Sequence, residues 1–155
     1  MRFATTRLTG PVPIVDVMSA RLVQVEPGAT VREAARRMTE EGVGSVAVCD
    51  GSRLTGIFTE RDVLRLAAGG TDLDATTVGD EMTRALVTVS ADADIVAAAR
   101  IMGERRIRHL PVVEGENLLG MVGIRDVLGA LAERLWRTRD EHTRETVHEL
   151  LARRR

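Results

Sequence analysis

The 155-residue sequence contains no lysine and no tyrosine, and all 22 of the cationic residues counted as Lys+Arg are arginine. The absence of lysine excludes Schiff-base chemistry and a Walker-type phosphate loop, because both need a lysine amine. Aromatic residues make up 2% of the chain, too few for a platform on which nucleic-acid bases stack. The net charge of −1 also gives no general attraction to a phosphate backbone. We therefore expect no nucleic-acid partner.

The sequence has one cysteine, Cys49, and no apolar run near the roughly 18 residues that a membrane helix needs. One cysteine cannot form an internal disulfide, which favours a reducing compartment. Residues 1–15 lack the apolar stretch of a signal peptide. We expect a cytoplasmic protein with no membrane partner, in which Cys49 is a buried and inert thiol. Common catalytic motifs are also missing, so we do not expect an enzyme.

The main positive feature is an internal repeat. A shift of 64 residues aligns residues 16–64 with residues 80–128 without a gap, and 19 of the 49 aligned positions are identical. Identity at this level indicates a tandem duplication. We divide the chain into an N-terminal segment (1–11), repeat 1 (12–69), a linker (70–77), repeat 2 (78–136) and a C-terminal helical extension (137–155).

Each repeat has the pattern of a β-α-β-β-α unit, which predicts an α/β (α+β) fold. In repeat 1, a strand is predicted over 22–25, and a capping box at Thr30–Glu33 begins a helix that ends near Gly42. A hairpin with a turn at Asp50–Gly51 follows, and a second helix runs from Thr59 to about Ala68. In repeat 2 the pattern predicts strands at 86–89, 109–113 and 118–122, and helices near 93–105 and from about 124.

The extension after repeat 2 has its own helical pattern. A capping-box pattern at 138–141 and a narrow apolar stripe (Val147, Leu150, Leu151) predict that a helix continues or restarts to about residue 152. Such a stripe packs either on its own chain or on a second copy, and the sequence leaves both alternatives open. We interpret Arg153–Arg155 as a solvated tail. His142 and His148 are six residues apart and do not share a helix face, so we expect no metal site.

The duplicated unit resembles a pair of CBS domains, a regulatory module named after cystathionine β-synthase. The resemblance rests on the Asp-Val-Met-Ser start, the Leu-Pro-Val-Val strand and the Gly-h-h-Thr-x-x-Asp turn (h is apolar), and covers roughly residues 12–136. It implies two repeats that pack through their sheets around two pseudo-equivalent clefts. It also implies an adenosine-containing regulatory ligand in these clefts (AMP, ADP, ATP, S-adenosylmethionine or NAD), with no required cofactor. A homodimer and an unidentified regulated protein are the expected partners.

In repeat 1 the candidate site lies at the junction between a strand and the second helix. Free backbone N–H groups and the helix dipole there favour an anion, so a phosphate can lie against Thr59, and Asp62 can accept from both ribose hydroxyls. The spacing of Thr59 and Asp62 is equally that of a capping box, which is the more common explanation without the resemblance. The family geometry implies a cleft built from Gly44, Ser45, Thr59, Arg61 and Asp62 together with Ile107 and Arg108.

Repeat 2 departs from this pattern because Gly123 replaces the threonine, whereas Asp126 remains. Arg108 and His109 stand where repeat 1 has glycine and serine, and the resemblance implies that basic residues there contact ligand phosphates. For His109, a place at the rim of the core is an equal alternative. The opposite cleft is implied to combine Arg108, His109, Arg125 and Asp126 with Val43 and Gly44.

Two hypotheses of function remain open at this point. In the first, a ligand shifts the packing of the repeats or of two chains, and a partner protein responds to the shift. In the second, the clefts are empty and the C-terminal helix acts by dimerising or docking on another protein, which the loss of the threonine at Gly123 favours. Arg105 and Arg106 are interpreted as structural in both, since basic residues are favourable at the C-terminal end of a helix.

Overall fold

The structure, a computed structural model, describes residues 10–138 and 141–152. A short 3-10 turn (Ile14–Asp16) precedes the helices and strands. In chain order these are β1 (Gln24–Val25), α1 (Val31–Glu41), β2 (Ser45–Asp50), β3 (Arg53–Thr59), α2 (Glu60–Ala68), α3 (Val78–Glu81), β4 (Val89–Ser90), α4 (Ile95–Arg105), β5 (His109–Glu114), β6 (Asn117–Gly123), α5 (Ile124–Thr138) and α6 (Glu141–Ala152). The mixed α+β architecture with two β-α-β-β-α repeats is confirmed. None of the helices in the described ranges has the length and apolar character to cross a bilayer.

The described chain forms two compact units. The first unit contains residues 20–88 and 113–120, and the second contains residues 10–19, 89–112, 121–138 and 141–152. Each repeat supplies one three-stranded sheet, ordered β1-β2-β3 and β4-β5-β6. In the first sheet β1 is parallel to β2, and β2 is antiparallel to β3.

In the first unit, local signals set the ends of α1. The Thr30 hydroxyl accepts from the Glu33 amide at 3.1 Å, which is the N-cap contact that the sequence predicts. Gly42 ends the helix in the left-handed region, at φ 64°, and its N–H donates to the carbonyl of Met38. The apolar face of α1 packs with β2, β3 and α2 around a core formed by Val25, Val31, Ala34, Met38, Val46, Val48, Phe58, Leu66 and Val78.

The edge strands are shorter than predicted. β1 covers residues 24–25 and not 22–25, and β4 covers 89–90 and not 86–89. In the first sheet, the parallel pairing with β2 involves two residues, Gln24 and Val25, and the carbonyl of Val23 adds one more hydrogen bond, from Ala47. The helix predicted near 93 begins at Ile95, because Asp94 is its N-cap and accepts from the Val96 amide at 2.8 Å.

Each compact unit contains the opening segment of the other repeat, where the opening segments are residues 12–19 of repeat 1 and residues 78–88 of repeat 2. In the first unit, Thr83 of the second opening segment forms an antiparallel bridge with Ile57 of β3. In the second unit, Ser19 of the first opening segment forms the matching bridge with Met121 of β6. Each partner of the first bridge lies 64 residues from its counterpart in the second. This exchange, and the short helix α3 within it, were not predicted from the sequence.

The terminal helix packs within its own unit. α6 contacts α4 and α5, Val147 is half-buried and Thr146 is buried. For Val147, the described member of the apolar stripe, the structure therefore shows packing on the same chain. The side chains of Leu150, Leu151 and His142, residues 139–140 of the predicted capping box, and Arg153–Arg155 lie outside the described residues. His148 is exposed.

Cys49 lies in β2, and its side chain is buried. Desolvation by this burial raises the pKa of the thiol above its usual value. The prediction of a buried thiol is confirmed. A raised pKa keeps the sulfur protonated near neutral pH, where the thiol is a weak nucleophile.

Candidate ligand-binding site

The Thr59–Asp62 junction of the first unit forms a complete capping box. Oδ2 of Asp62 accepts from the Thr59 backbone N–H at 2.9 Å and from the Thr59 hydroxyl at 2.8 Å. Both residues are half-buried. The capping role is therefore present in the structure, and it fixes the carboxylate at the start of α2. A hydroxyl that rotates can still exchange its acceptor for a ligand oxygen.

The start of β2 is tied to the same junction. The Glu60 N–H donates to the carbonyl of Gly44 at 3.1 Å, and Ser45 is paired with Thr59 in the register of β2 and β3. The amides of Thr59 and Glu60 are thus both bonded within the unit, so they are not the free N–H groups that the sequence suggested for a phosphate. We call the predicted site residues of this unit the first half-site: Val43, Gly44, Ser45, Thr59, Arg61 and Asp62.

The second unit repeats this backbone arrangement with different side chains. Oδ2 of Asp126 accepts from the Gly123 N–H at 3.2 Å, and the Ile124 N–H donates to the carbonyl of Arg108 at 2.8 Å. Asp126 is exposed, unlike Asp62. We call Ile107, Arg108, His109, Arg125 and Asp126, together with Gly123, the second half-site.

The glycine at position 123 is matched by the larger residue beside it. A Cβ atom at Gly123 would lie 3.7 Å from Cδ2 of His109 and 3.2 Å from Oδ2 of Asp126. The imidazole of His109 therefore stands next to the place of the missing threonine side chain. In repeat 1 the same two positions hold Ser45 and Thr59. Repeat 2 therefore has a larger side chain at the first of these positions and no side chain at the second.

The charges of the two half-sites differ as well. Arg61 is the exposed guanidinium of the first half-site, whereas the second has two exposed guanidiniums, Arg108 and Arg125, and a half-buried His109. Across the described residues, no group of three or more His, Cys, Asp or Glu side chains is placed to hold a metal ion. The donors available in both half-sites therefore fit an oxyanion such as a phosphate.

The remaining basic residues near the second half-site lie at the end of α4. Arg105 is in the last turn, and Arg106 is the C-cap residue, with a φ of 55°. Arg106 occupies the position that glycine holds in α1 (Gly42), and its N–H donates to the carbonyl of Met102. These positions agree with the structural role predicted for the pair. The grouping of Val43 and Gly44 with Asp126, and of Ile107 and Arg108 with Asp62, stays a prediction.

The chain belongs to the CBS domain family. The CBS domain model matches it twice, at residues 14–69 and 78–133, which together make up more than half of the chain. The two matches fall on the two repeats and confirm the resemblance seen in the sequence.

Similar proteins have the same domain. YhcV, a CBS domain-containing protein of Bacillus subtilis, is 34% identical over 115 residues, which are 74% of this chain and 81% of YhcV. The mitochondrial CBSX3 of Arabidopsis thaliana is 39% identical over 108 residues, 66% of this chain and only 52% of CBSX3. The structure of PAE2072 from Pyrobaculum aerophilum, complexed with AMP, has a TM-score of 0.71 and 27% identity, covering 79% of this chain and 99% of that protein.

Proposed function

We propose that the chain is a regulatory ligand-sensing module that binds an adenosine-containing ligand in clefts between its repeats. The observation that carries the proposal is the matched pair of aspartates. Asp62 and Asp126 lie at the same position of α2 and α5, and one oxygen of each is held by the backbone N–H that begins the helix. A carboxylate held in this way is preorganised to accept from two neighbouring ribose hydroxyls, which reduces the entropic cost of binding.

The phosphate contacts would come from different groups at the two half-sites. At the first, the Thr59 hydroxyl and the Arg61 guanidinium are available, and at the second, Arg108 and Arg125 can donate planar forks. The AMP complex of PAE2072, which shares 27% identity with this chain, supports AMP as the first ligand to test. We propose ADP, ATP, S-adenosylmethionine and NAD as further candidates.

The proposed output is a change in packing that an unidentified partner protein recognises. A ligand changes such an equilibrium only through its differential affinity for the two states. In this proposal the ligand contacts residues of both repeats, so its affinity depends on how the repeats pack. In this proposal the chain is a cytoplasmic module without catalytic activity of its own.

Isothermal titration calorimetry with AMP, ADP, ATP, S-adenosylmethionine and NADH tests the proposal. We expect at least one of them to bind with a micromolar to sub-millimolar Kd, and we expect Asp62→Ala or Asp126→Ala to remove that binding. Asp50→Ala, at the exposed end of β2, is the matched control. Asp62→Asn separates ligand contact from capping, because asparagine keeps one side-chain oxygen that can accept from the Thr59 N–H but loses the second acceptor oxygen and the negative charge. Failure of all five ligands to bind the parent protein would overturn the proposal.

A second candidate function is protein interaction through a homodimer. Trp136, the single tryptophan of the chain, lies in α5 with 87% of its surface exposed. Exposed tryptophans are enriched at interfaces and are frequent hot spots. Sedimentation equilibrium of the parent protein and of Trp136→Gln distinguishes this function. Here we expect a dimer in the parent and at least a tenfold weaker dimer in the variant, and a monomeric parent protein would contradict it.

A further inference from the structure

The carboxylate of Asp62 has a third neighbour that belongs to neither the capping box nor the predicted site. The Nη2 atom of Arg65 lies 3.7 Å from Oδ1 of Asp62 and 3.2 Å from Oε2 of Glu81. Arg65 is one turn further along α2, and Glu81 is the last residue of α3. The two oxygens of Asp62 therefore face different groups: Oδ2 accepts from Thr59 and Oδ1 faces the guanidinium.

The second unit has no counterpart of this arrangement. The positions 64 residues from Arg65 and Glu81 are Gly129 and Val17, neither of which carries a charge. Oδ2 of Asp126 still accepts from the Gly123 amide, but residue 129 offers no guanidinium to Oδ1. The duplication has thus kept the aspartate in both repeats and the arginine in one.

We propose that Arg65, held by Glu81, is a positioning residue that orients the Asp62 carboxylate for the ribose of the ligand and makes the first half-site the tighter one. This inference rests on the proposed function. The guanidinium draws Oδ1 toward one side of the carboxylate, while Thr59 holds Oδ2. It also offsets the negative charge of Asp62, which opposes the approach of a ligand phosphate. Glu81 limits the rotamers of Arg65 and so reduces the entropy lost when the contact forms.

The solvent exposure of Arg65 sets the size of its expected effect on ligand affinity. The Arg65 side chain is 55% exposed, against 19% for Asp62 and 29% for Glu81. Exposed ion pairs contribute about 0.2–1 kcal/mol, which corresponds to a change of up to about fivefold in an equilibrium constant. We therefore expect Arg65→Gln to weaken AMP binding at the first half-site about two- to fivefold, and Arg65→Lys to keep most of the affinity.

The ligand series separates positioning from a general structural role. AMP has both ribose hydroxyls, whereas 2′,3′-dideoxyadenosine monophosphate has neither and cannot use the orientation of Asp62. We expect Arg65→Gln to weaken AMP binding about two- to fivefold, which is the size of effect that an exposed ion pair has. The Kd of the dideoxy nucleotide should stay within about 1.5-fold of its value for the parent protein. Arg53→Gln, which removes the same charge at the exposed first residue of β3, is the control and should change neither Kd.

Amide hydrogen exchange tests the same inference without any ligand. The Thr59 N–H donates to Asp62, and the Gly123 N–H donates to Asp126. If Arg65 orients Asp62, Arg65→Gln should speed exchange at Thr59 about twofold, in line with a weak exposed pair, and leave Gly123 unchanged. The reverse variant, Gly129→Arg, should slow exchange at Gly123, because it places a guanidinium one turn after Asp126. The arginine side chain has room, since a Cβ atom at Gly129 would meet open space. Gly129→Gln controls for the gain in helix propensity.

The outcomes separate the two proposals. If the parent protein binds none of the nucleotides, the proposed function fails, and exchange at Thr59 alone decides whether Arg65 positions Asp62. If AMP binds but Arg65→Gln changes neither exchange at Thr59 nor the ratio of the two Kd values, the inference is overturned and the proposed function stands.

Discussion

The two repeats hold the same aspartate in different surroundings. In the first unit Asp62 is half-buried between the Thr59 cap and the Arg65 guanidinium, whereas in the second unit Asp126 is exposed and the matching positions are Gly123 and Gly129. The second repeat instead has Arg108 and His109 where the first has Gly44 and Ser45. The two half-sites therefore differ in composition: a cap and a guanidinium flank the carboxylate in the first, and exposed cationic groups are more numerous in the second.

The largest difference between the repeats that stability measurements can test lies in the core. Phe58 in β3 and its counterpart Val122 in β6 are both fully buried. We expect Phe58→Ala to lower the free energy of unfolding by about 4 kcal/mol and Val122→Ala by about 2 kcal/mol, because the phenylalanine leaves the larger cavity. Urea denaturation monitored by circular dichroism measures both. Equal losses would contradict this expectation. They would mean that the structure around Phe58→Ala collapses to fill its cavity more completely than the structure around Val122→Ala does.

The next difference concerns the exchanged opening segments. A Cβ atom at Gly79 would lie 2.8 Å from the carbonyl oxygen of Pro27, whereas the counterpart, Val15, is 49% exposed. Because the obstacle is backbone and cannot rotate away, Gly79→Val should cost about 1–3 kcal/mol of unfolding free energy. Val15→Ala should stay within about 0.5 kcal/mol, as for an ordinary surface substitution. Thermal unfolding of the two variants compares them directly, and a stable Gly79→Val protein would contradict the close approach.

A smaller effect is expected at the ends of α1 and α4. Gly42 and Arg106 both adopt a left-handed conformation, at φ 64° and 55°. A side chain other than glycine is unfavourable there by about 1 kcal/mol. We therefore expect Gly42→Ala to destabilise the protein by about 1 kcal/mol, and Arg106→Gly to stabilise it by a few tenths, since glycine also adds entropy to the unfolded chain. Changes of the same sign in the two variants would be inconsistent with this account.

The features that the sequence predicted correctly depend on contacts between near neighbours. The Thr30 cap, the end of α1 at Gly42 and the spacing of Thr59 and Asp62 each involve residues within one helical turn. The exchange of the opening segments depends instead on bridges such as Ile57–Thr83, which no local pattern specifies. The same holds at the site. The i,i+3 spacing of Asp62 and Arg65 is visible in the sequence, but the contact of Arg65 with Glu81, across 16 residues, is not.

The pairing of His109 with Gly123 shows a related limit. The sequence shows the loss of a threonine at position 123, and taken by itself this loss favours the hypothesis of empty clefts. The structure places the imidazole of His109 beside the vacant position, so the change is an exchange of volumes between two adjacent strands. A pattern that compares the repeats one position at a time does not detect such a compensation.

The smallest expected effect comes from restoring the threonine. Gly123→Thr would supply at the start of α5 the hydroxyl that Thr59 supplies at the start of α2. Its Cβ atom would lie 3.2 Å from Oδ2 of Asp126, which is a tight contact, but this exposed carboxylate can shift by a few tenths of an ångström. Replacing glycine by threonine at an N-cap changes stability by only a few tenths of a kcal/mol, so we expect a gain of about 0.3 kcal/mol. Thr59→Gly should cost about as much in the first unit, and chemical denaturation of both variants measures the pair. If Gly123→Thr destabilises the protein by more than about 1 kcal/mol, the threonine and the His109 ring exclude each other, since overpacking has costs of that size. Mutating both residues, with His109→Ser added to Gly123→Thr, should then recover the parent stability.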